Sequence, residues 1–340
     1  MDNILIKESS KPGWGKEKRS IAAMIQAWGN QASNALLDPT FTIFETPTID
    51  GIIGYRLRLK CAVVFGDPVC SQQDMLNLVR AFKEFCTKQG YTIAYTLVSE
   101  QFTNWAMQNG YSYAIEMGRE SFIDPMIDPK TRTGIHAGVL RNKWRLSIKR
   151  GITVKEHKSN DAITEQAMEE VAQRWIANRK GPQIHFFTSF NIFDDRQHKR
   201  YFYAECDGKI IGIVALNRLD AYDGWILQMT LLVPEAPTST SEFLVLSILE
   251  TLRIEGCRYL TIGITPNACM ERIEGFGSIT RQLAKRLHAL SYKVFKLDKR
   301  SQYWRKFDPQ EKSLFIVMDK KGFLVKKGLA IVKAYNAAVW

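Results

Sequence analysis

One order of predicted elements occurs twice in this chain, and it constrains the fold more than any other feature. In each copy, strand-like segments lead to a proline-containing loop, a helix, a glycine and a further strand. The first copy covers residues 52–99 and the second covers residues 201–265. A helix between two strands of this kind returns the chain to the same sheet, as a right-handed crossover does.

A further helix and strand follow each copy. They are predicted at residues 102–109 and 111–117 after the first copy, and at 278–289 and 292–297 after the second. The resulting β-β-β-α-β-α-β order is typical of N-acetyltransferase-like domains. We therefore predict an α/β (α+β) chain with two tandem acetyltransferase-like (GNAT-like) domains, each a mixed sheet flanked by helices.

The 340 residues have room for two domains of ordinary size. The predicted division gives an N-terminal domain over residues 1–135 and a junction helix over 136–151. A C-terminal domain with a basic terminal segment then follows over 152–340.

The junction helix contains the basic stretch LRNKWRLSIKRG, with five Lys or Arg in residues 140–151. Its helical periodicity places apolar side chains on one stripe and cations on the next. The predicted packing stripe is Leu140, Trp144 and Ile148, and the predicted outward stripe is Arg141, Arg145 and Lys149. Gly151 stands where a helix C-cap glycine belongs. The stripe suits either a solvated helix end or a surface for phosphate.

Charge predicts the class of partner. The chain carries 47 basic and 35 acidic residues, and a net charge of +12 favours RNA or an anionic membrane surface. Fourteen of the basic residues, against four acids, lie in residues 285–340. The six cysteines are scattered and no histidine has ligand spacing, so no metal site is predicted. We expect a cytoplasmic location, with a peripheral position at the inner face of a membrane as an open alternative.

The loops before the two central helices, GDPVCSQQ and VPEAPTSTSE, bear on the acyl donor. Enzymes of this fold that use coenzyme A hold its pyrophosphate on the N–H groups of a glycine-rich turn. The second loop has no glycine, and Glu235 would repel phosphate, although residues 238–241 suit a helix N-cap. Coenzyme A is therefore disfavoured. Aminoacyl-tRNA, which carries an activated ester on a polyanion, is the donor we expect, with no other cofactor.

Short motifs in order give the chain a resemblance to a known family. The motifs are Gly66-Asp67-Pro68, Leu140-Arg141, Trp175 with Arg179-Lys180, Pro234-Glu235-Ala236-Pro237, Ile262-Gly263 with Pro266, and Lys306-Phe307-Asp308-Pro309. Together they resemble the C-terminal catalytic domain of aminoacyl-phosphatidylglycerol synthases, the phosphatidylglycerol lysyltransferase family. The resemblance implies transfer of an amino acid from aminoacyl-tRNA to a lipid hydroxyl, with tRNA and an anionic membrane surface or lipid acceptor as partners.

The resemblance also implies roles for particular residues. Where the family commonly has the catalytic Asp and Arg of an Asp-Leu-Met-Arg strand, this chain has Gln228 and Leu231. A Gln can orient a substrate but cannot take its proton. The candidate catalytic residues are Gln228 and Thr230, which alternation places on one face of the predicted strand towards a common cleft, and Glu235 and Asp223 in the flanking loops. The candidate substrate-binding residues are Asp67, Arg179, Lys180, Lys306 and Arg281, the last standing where the family commonly has a Glu.

The candidate residues for RNA or membrane binding are Arg141, Arg145, Lys149, Lys299, Arg300 and Arg305. Two other functions stay open at this point. The substitutions would also suit a catalytically degenerate module that binds RNA or membrane, and the fold alone would suit a coenzyme A-dependent acetyltransferase.

Overall fold

The computed structural model of the chain describes residues 6–7, 14–158, 161–178, 192–193, 196–265, 271–278, 281–282, 285–286 and 298–336. Within these ranges the helices are α1 (Trp14–Trp28), α2 (Met75–Lys88), α3 (Glu100–Gln108), α4 (Ile135–Lys149), α5 (Ala162–Ala177), α6 (Thr240–Ile254), α7 (Asp298–Arg305) and α8 (Leu324–Asn336). The strands are β1 (Ile6–Lys7), β2 (Thr42–Thr46), β3 (Ile49–Arg58), β4 (Cys61–Phe65), β5 (Val69–Cys70), β6 (Thr92–Ser99), β7 (Tyr113–Ile123), β8 (Thr153–His157), β9 (Lys199–Cys206), β10 (Lys209–Leu219), β11 (Gly224–Leu232), β12 (Leu260–Thr265), β13 (Ile273–Glu274) and β14 (Gln310–Met318).

The duplicated element order is confirmed. Strands β2, β3, β4 and β6 with helix α2 form the first copy, and strands β9, β10, β11 and β12 with helix α6 form the second. In both copies the crossover strand is parallel to its neighbour: β4 pairs with β6, and β11 pairs with β12. The predicted class, a mixed α/β fold with two acetyltransferase-like units, is therefore what the chain adopts.

The two copies share one sheet, in the order β1-β2-β3-β4-β6-β14-β7-β12-β11-β10-β9-β8. Short strands β5 and β13 pair with β3 and β7 beside this path. The final strand of each copy lies next to the other copy: β7 pairs with β12, and β14 pairs with β6. Because β7 and β14 also pair with each other, the two copies exchange their last strands across the centre of the sheet.

Apolar side chains cover both faces of each copy. In the first copy, Phe82 of α2 and Tyr95 of β6 are fully buried in one cluster, while Ala330 of α8 is buried on the other face. In the second copy, Leu244 of α6 is buried against β10 and β11, and Met168 of α5 lies on the opposite face. Nine of the fifteen residues of α6 are buried because neighbouring elements cover most of its circumference.

Helix α4 confirms the predicted C-cap but corrects the predicted stripe. Gly151 has a positive φ of 70°, and the N–H of Ile152 donates to the carbonyl of Ser147, as in a Schellman motif. Leu140 is buried as predicted, whereas Ile148 is 56% exposed and the buried position is Ser147. The prediction for Ile148 was wrong because a small hydroxyl side chain is needed where α4 touches α6, as shown below.

Several predictions fall in part outside the described residues. The predicted helix over 278–289 is helical at the described residues 281–282 and 285–286, and the predicted strand over 292–297 lies outside them. The strand that completes the second copy is β14, further along the chain. The division at residues 135 and 152 stays a prediction. No helix in the described ranges is both long and apolar enough to cross a membrane.

Candidate active site

Strands β11 and β12 form a fork in the second copy. Their parallel pairing consists of two residue pairs, Trp225 with Leu260 and Ile226 with Thr261. The corresponding strands of the first copy, β4 and β6, stay paired over five residues. In the second copy the main-chain groups of β11 and β12 beyond these two pairs are therefore not joined to each other, whereas the first copy keeps the equivalent strands joined.

A β-bulge lies at the start of this divergence. In the pairing of β11 with β10, Met229 lies opposite Ala215 and Leu227 lies opposite Leu216, so Gln228 is the extra residue. A bulge bends its strand and redirects a side chain, and bulges are common beside active sites. Gln228 thus has no partner residue on β10, unlike its neighbours in β11.

Gln228 and Thr230 present unsatisfied polar atoms. The Gln228 Oε1 and Thr230 Oγ1 atoms are shielded from solvent and have no hydrogen-bond partner among the described residues. Both side chains lie on the face of β11 opposite Met229 and Leu231, which pack in the core beside α5. A buried polar atom without a partner costs about 1–3 kcal/mol, so two of them on one strand face point to a group that binds there. The sequence prediction that both residues face one site is consistent with this geometry.

The N-terminus of α6 adds more polar groups. Thr240 Oγ1 is also buried and unpaired among the described residues, and the Tyr303 hydroxyl lies close to Ser241. Glu242, 4% exposed, accepts a hydrogen bond from Lys306 Nζ at 2.5 Å, and the same Nζ lies 4.2 Å from the centre of the Tyr303 ring. Burial acts to raise the pKa of Glu242, but the bonds from Lys306 and Ser241 outweigh it and the net pKa is lowered. Glu242 therefore holds the Lys306 side chain at the start of α6.

Helix α4 covers the loop before α6. Ser147 Oγ donates to Ser239 Oγ at 2.8 Å, and Lys143 Nζ donates to the Thr238 carbonyl at 2.9 Å. Both serines are fully buried. This contact explains why α4 carries a serine at its inner face, and it places the basic helix directly over the loop that holds phosphate in coenzyme A enzymes.

The basic residues of α4 divide into two groups. Arg141 donates from Nη1 to the carbonyls of Lys130 and Arg132 at 2.8 and 3.0 Å, so it holds the preceding loop. Arg145 and Lys149 are exposed, and the described part of the chain supplies neither with an ion-pair partner. The outward cationic surface of α4 therefore consists of Arg145 and Lys149, not Arg141.

A second polar group, which we call the junction acid cluster, lies where the two copies meet. It comprises Asp67, Glu120, Tyr222, Tyr259 and Lys312. Asp67 accepts the Ser99 N–H at 2.8 Å, and burial, with a smaller contribution from the charge of Glu120, raises its pKa to about 6. Burial also raises the pKa of Glu120, which is 3% exposed and accepts the Tyr259 hydroxyl. Asp67 is thus poised to exchange a proton near neutral pH.

Three aromatic rings lie within 6 Å of the Lys312 ammonium in this cluster. Lys312 Nζ lies 4.6 Å from the Phe122 ring centre, 5.4 Å from Tyr259 and 5.5 Å from Tyr222. The rings stack on one another, with centroids 5.1 Å apart for Phe122 and Tyr259. Because the charge of Lys312 acts to lower the pKa of Glu120, the cluster keeps a partly compensated charge within the junction.

The structure does not bring Asp223 and Glu235 together with each other. They flank β11 at its two ends, and nine residues at about 3.3 Å each separate those ends by about 30 Å. Asp223 is 92% exposed and paired with Arg218 at 2.5 Å. Glu235 is paired with Arg174, and its pKa is lowered by a main-chain hydrogen bond and by that arginine. Both carboxylates are solvated ion-pair partners, and a lowered pKa makes Glu235 a weak base.

The other predicted residues are placed as follows. Leu231 is 5% exposed in an apolar cluster, so no charged group takes the place of the family's Arg. Arg281 is exposed and donates weakly, at 3.4 Å, to the Phe276 carbonyl. Arg305 is exposed at the end of α7. Arg179, Lys180 and the side chains of Lys299 and Arg300 lie outside what the structure describes.

Sequence reasoning missed Glu120 and its partner Tyr259. The available signal was an acid inside a strand: Glu116 and Glu120 lie four residues apart on one face of β7, and both are almost fully buried. A buried carboxylate needs a partner, so acids at strand positions could have been identified as candidates.

Comparison with known proteins gives consistent similarities. The family model described as "Phosphatidylglycerol lysyltransferase, C-terminal" matches residues 23–318. Phosphatidylglycerol lysyltransferases of two Staphylococcus epidermidis strains are each 21% identical to the chain over 326 residues. The match covers 92% of this chain and 37% of the relative, so the chain spans a little over a third of the length of these relatives.

Two solved structures share the fold. One is the C-terminal domain of a protein assigned as a lysylphosphatidylglycerol synthetase of Agrobacterium fabrum, with a TM-score of 0.77 at 16% identity, covering 95% of this chain and 97% of that one. The other is L-PGS of Bacillus licheniformis, with a TM-score of 0.70 at 15% identity, covering 96% of this chain and 99% of that one. At these identities the likenesses establish the fold alone.

Proposed function

Because this chain belongs to the family of phosphatidylglycerol lysyltransferase C-terminal domains, we propose that it transfers an aminoacyl group from aminoacyl-tRNA to a hydroxyl of a lipid such as phosphatidylglycerol. The observation that carries the proposal is the fork between β11 and β12, where Gln228 Oε1 and Thr230 Oγ1 are buried on one strand face without partners among the described residues. These are groups that can hold a polar substrate in one orientation.

The reaction makes modest demands on the site. The lipid hydroxyl oxygen attacks the ester carbonyl carbon, the bond from that carbon to the ribose oxygen breaks, and the proton passes overall from the lipid hydroxyl to the ribose. Since the ester is already activated, positioning and one or two hydrogen bonds supply most of the catalysis. In the proposed site the Thr230 hydroxyl donates to the carbonyl oxygen, and Gln228 Oε1 accepts from the substrate amine or hydroxyl.

The donor side of the proposal rests on α4. The helix is anchored over the α6 loop by Ser147 and Lys143, and it exposes Arg145 and Lys149 on its opposite, outward side. A tRNA acceptor end can contact this surface through its phosphates while its 3′ ester reaches the fork. Arg305 is a further exposed cation, at the end of α7.

The experiment follows radiolabelled amino acids from a mixed pool of charged tRNAs into phosphatidylglycerol vesicles, with an RNase-treated control. A mixed pool is needed because Gln228 stands where the family commonly has an Asp, and lysine is not assumed to be the amino acid. We expect an RNase-sensitive labelled lipid from the purified protein. Retained tRNA or vesicle binding with no labelled lipid would contradict the proposal and indicate a binding module.

The tRNA surface has its own matched pair of variants. Arg145→Glu with Lys149→Glu is expected to lower the rate at limiting aminoacyl-tRNA at least ten-fold and to reduce its dependence on salt. Arg80→Glu with Lys88→Glu reverses two exposed cations on α2 and should leave the rate unchanged. Equal transfer rates for the two double variants would show that tRNA does not bind at α4.

A further inference from the structure

The outer surface of α8 carries a stripe of apolar side chains. Val325, Leu329 and Val332 recur at spacings of four and three residues and are 77%, 52% and 53% exposed. Phe323, immediately before the helix, is 80% exposed. The inner face of the same helix is buried against the first copy through residues such as Ala330. Helix α8 therefore has apolar residues on both its inner and its outer side, and the outer ones have no covering element in the described structure.

Lysines border this stripe. Lys320, Lys321, Lys326 and Lys333 are exposed around it, and the sequence from residue 320 to 340 contains no Asp or Glu. The nearest acid in the sequence, Asp319, is bonded to the buried Lys327 at 2.5 Å, so it does not neutralise the exposed lysines. The surface combines exposed aliphatic and aromatic groups with uncompensated positive charge.

The turn between β3 and β4 extends the same surface. The Lys60 carbonyl accepts the Thr92 N–H at 3.0 Å, and a Cβ on Gly322 would lie 2.9 Å from Thr92 Cγ2, so the turn and the start of α8 are neighbours. The turn residues Leu59 and Lys60 are both exposed and have positive φ values of 51° and 59°. Such turns normally take Asn or Gly, so an apolar residue and a cation occupy the tip at a cost in backbone conformation.

We propose that this surface, the α8 face, docks the protein on an anionic membrane: its apolar side chains enter the headgroup boundary and its lysines contact anionic lipid. Amphipathic helices that lie in the interface combine these same two features. A membrane is a better partner for this surface than RNA, because the stripe consists mainly of aliphatic residues, which offer no surface for base stacking. The inference rests on the proposed function in one respect, since a lipid acceptor requires contact with a bilayer.

The first test is flotation with vesicles of phosphatidylglycerol or of phosphatidylcholine. The intact chain is expected to float with phosphatidylglycerol vesicles, less so at high salt, and not with phosphatidylcholine. Val325→Glu with Leu329→Glu should weaken binding at least ten-fold. The matched control is Ile163→Glu with Ile254→Glu, which changes two side chains 81% and 82% exposed on other helices and should bind as the unmodified chain does. Equal binding by both double variants would overturn the proposal.

A second measurement separates docking from catalysis. With a short-chain phosphatidylglycerol dispersed below its micelle concentration, the Val325→Glu/Leu329→Glu variant should transfer as fast as the unmodified chain, while its transfer to vesicles falls with binding. If neither protein transfers an aminoacyl group to either lipid, the proposed function is wrong. Flotation then still shows whether the α8 face binds the membrane. Light scattering tests the alternative. If the unmodified chain is a dimer, the variant is a monomer and vesicle binding is unchanged, then the α8 face is a contact between two copies and the membrane proposal is wrong.

Discussion

Replacing Thr230 by Val should make the protein more stable and less active. The Thr230 hydroxyl oxygen is shielded from solvent without a partner in the described structure, and an unpaired buried hydroxyl costs about 1–3 kcal/mol. Valine has nearly the same shape and removes that cost, so the free energy of unfolding should rise by about 1 kcal/mol or more. With an unfolding entropy of roughly 2.1 cal/mol/K per residue over 340 residues, this corresponds to a rise in Tm of about 1–3 °C.

Thr96→Val is the matched control. Thr96 is fully buried, and its hydroxyl donates to the Val64 carbonyl at 2.8 Å, so the same substitution removes a hydrogen bond and should lower Tm by about 1–3 °C. Thermal unfolding followed by circular dichroism measures both shifts. The aminoacyl-transfer rate of Thr230→Val should fall by about 10²-fold, as when an oxyanion donor is lost. A lowered Tm for Thr230→Val, or an unchanged transfer rate, would refute the assignment of Thr230 to substrate binding.

Three further predictions concern stability. Burial raises the pKa of Asp67 above its unfolded value to about 6, so its ionisation destabilises the fold as the pH rises from about 4 to 7. Over that range, the free energy of unfolding of Asp67→Asn, measured by urea titration, should increase by roughly 2–3 kcal/mol relative to that of the unmodified chain. Gly151 has a φ of 70°, so Gly151→Ala should lower the free energy of unfolding by about 1 kcal/mol. Gly138 lies inside the same helix with room for a Cβ, so Gly138→Ala should raise it by up to about 1 kcal/mol. Urea unfolding midpoints measure both changes. Lys327→Met should leave a buried carboxylate uncompensated and lower the unfolding free energy by about 3–5 kcal/mol, a loss that calorimetry would detect and that an unchanged Tm would disprove.

Local patterns in the sequence predicted the parts of the fold that depend on local interactions. The repeated strand and helix order follows from hydrophobic periodicity, and the cap at Gly151 follows from a residue that tolerates positive φ. Ser147 was not predicted at the inner face of α4, because its burial depends on a hydrogen bond to Ser239, ninety-two residues away. A serine at that spacing has no apolar signal, whereas Ile148 has one and is exposed.

The strand exchange depended still more on distant pairing. Strand β14 lies between β6 and β7, and the pairing of Leu314 with both Ser99 and Gly118 joins segments about two hundred residues apart. The junction acid cluster arises from this exchange, since it brings Glu120 and Lys312 onto adjacent strands. The fork residues were predictable as candidates from alternation on β11, but the bulge at Gln228 was not, because it is a mismatch in length between two paired strands.

The central claim is that the fork of the second copy holds an aminoacyl ester for transfer to a lipid. The most direct measurement is mass spectrometry of phosphatidylglycerol incubated with charged tRNA and either the intact chain or Gln228→Ala. The proposed function predicts a lipid heavier by one amino acid less water, formed by the intact chain, abolished by RNase and reduced at least ten-fold by the variant. An unmodified lipid with the intact chain, or equal product from both proteins, would contradict it.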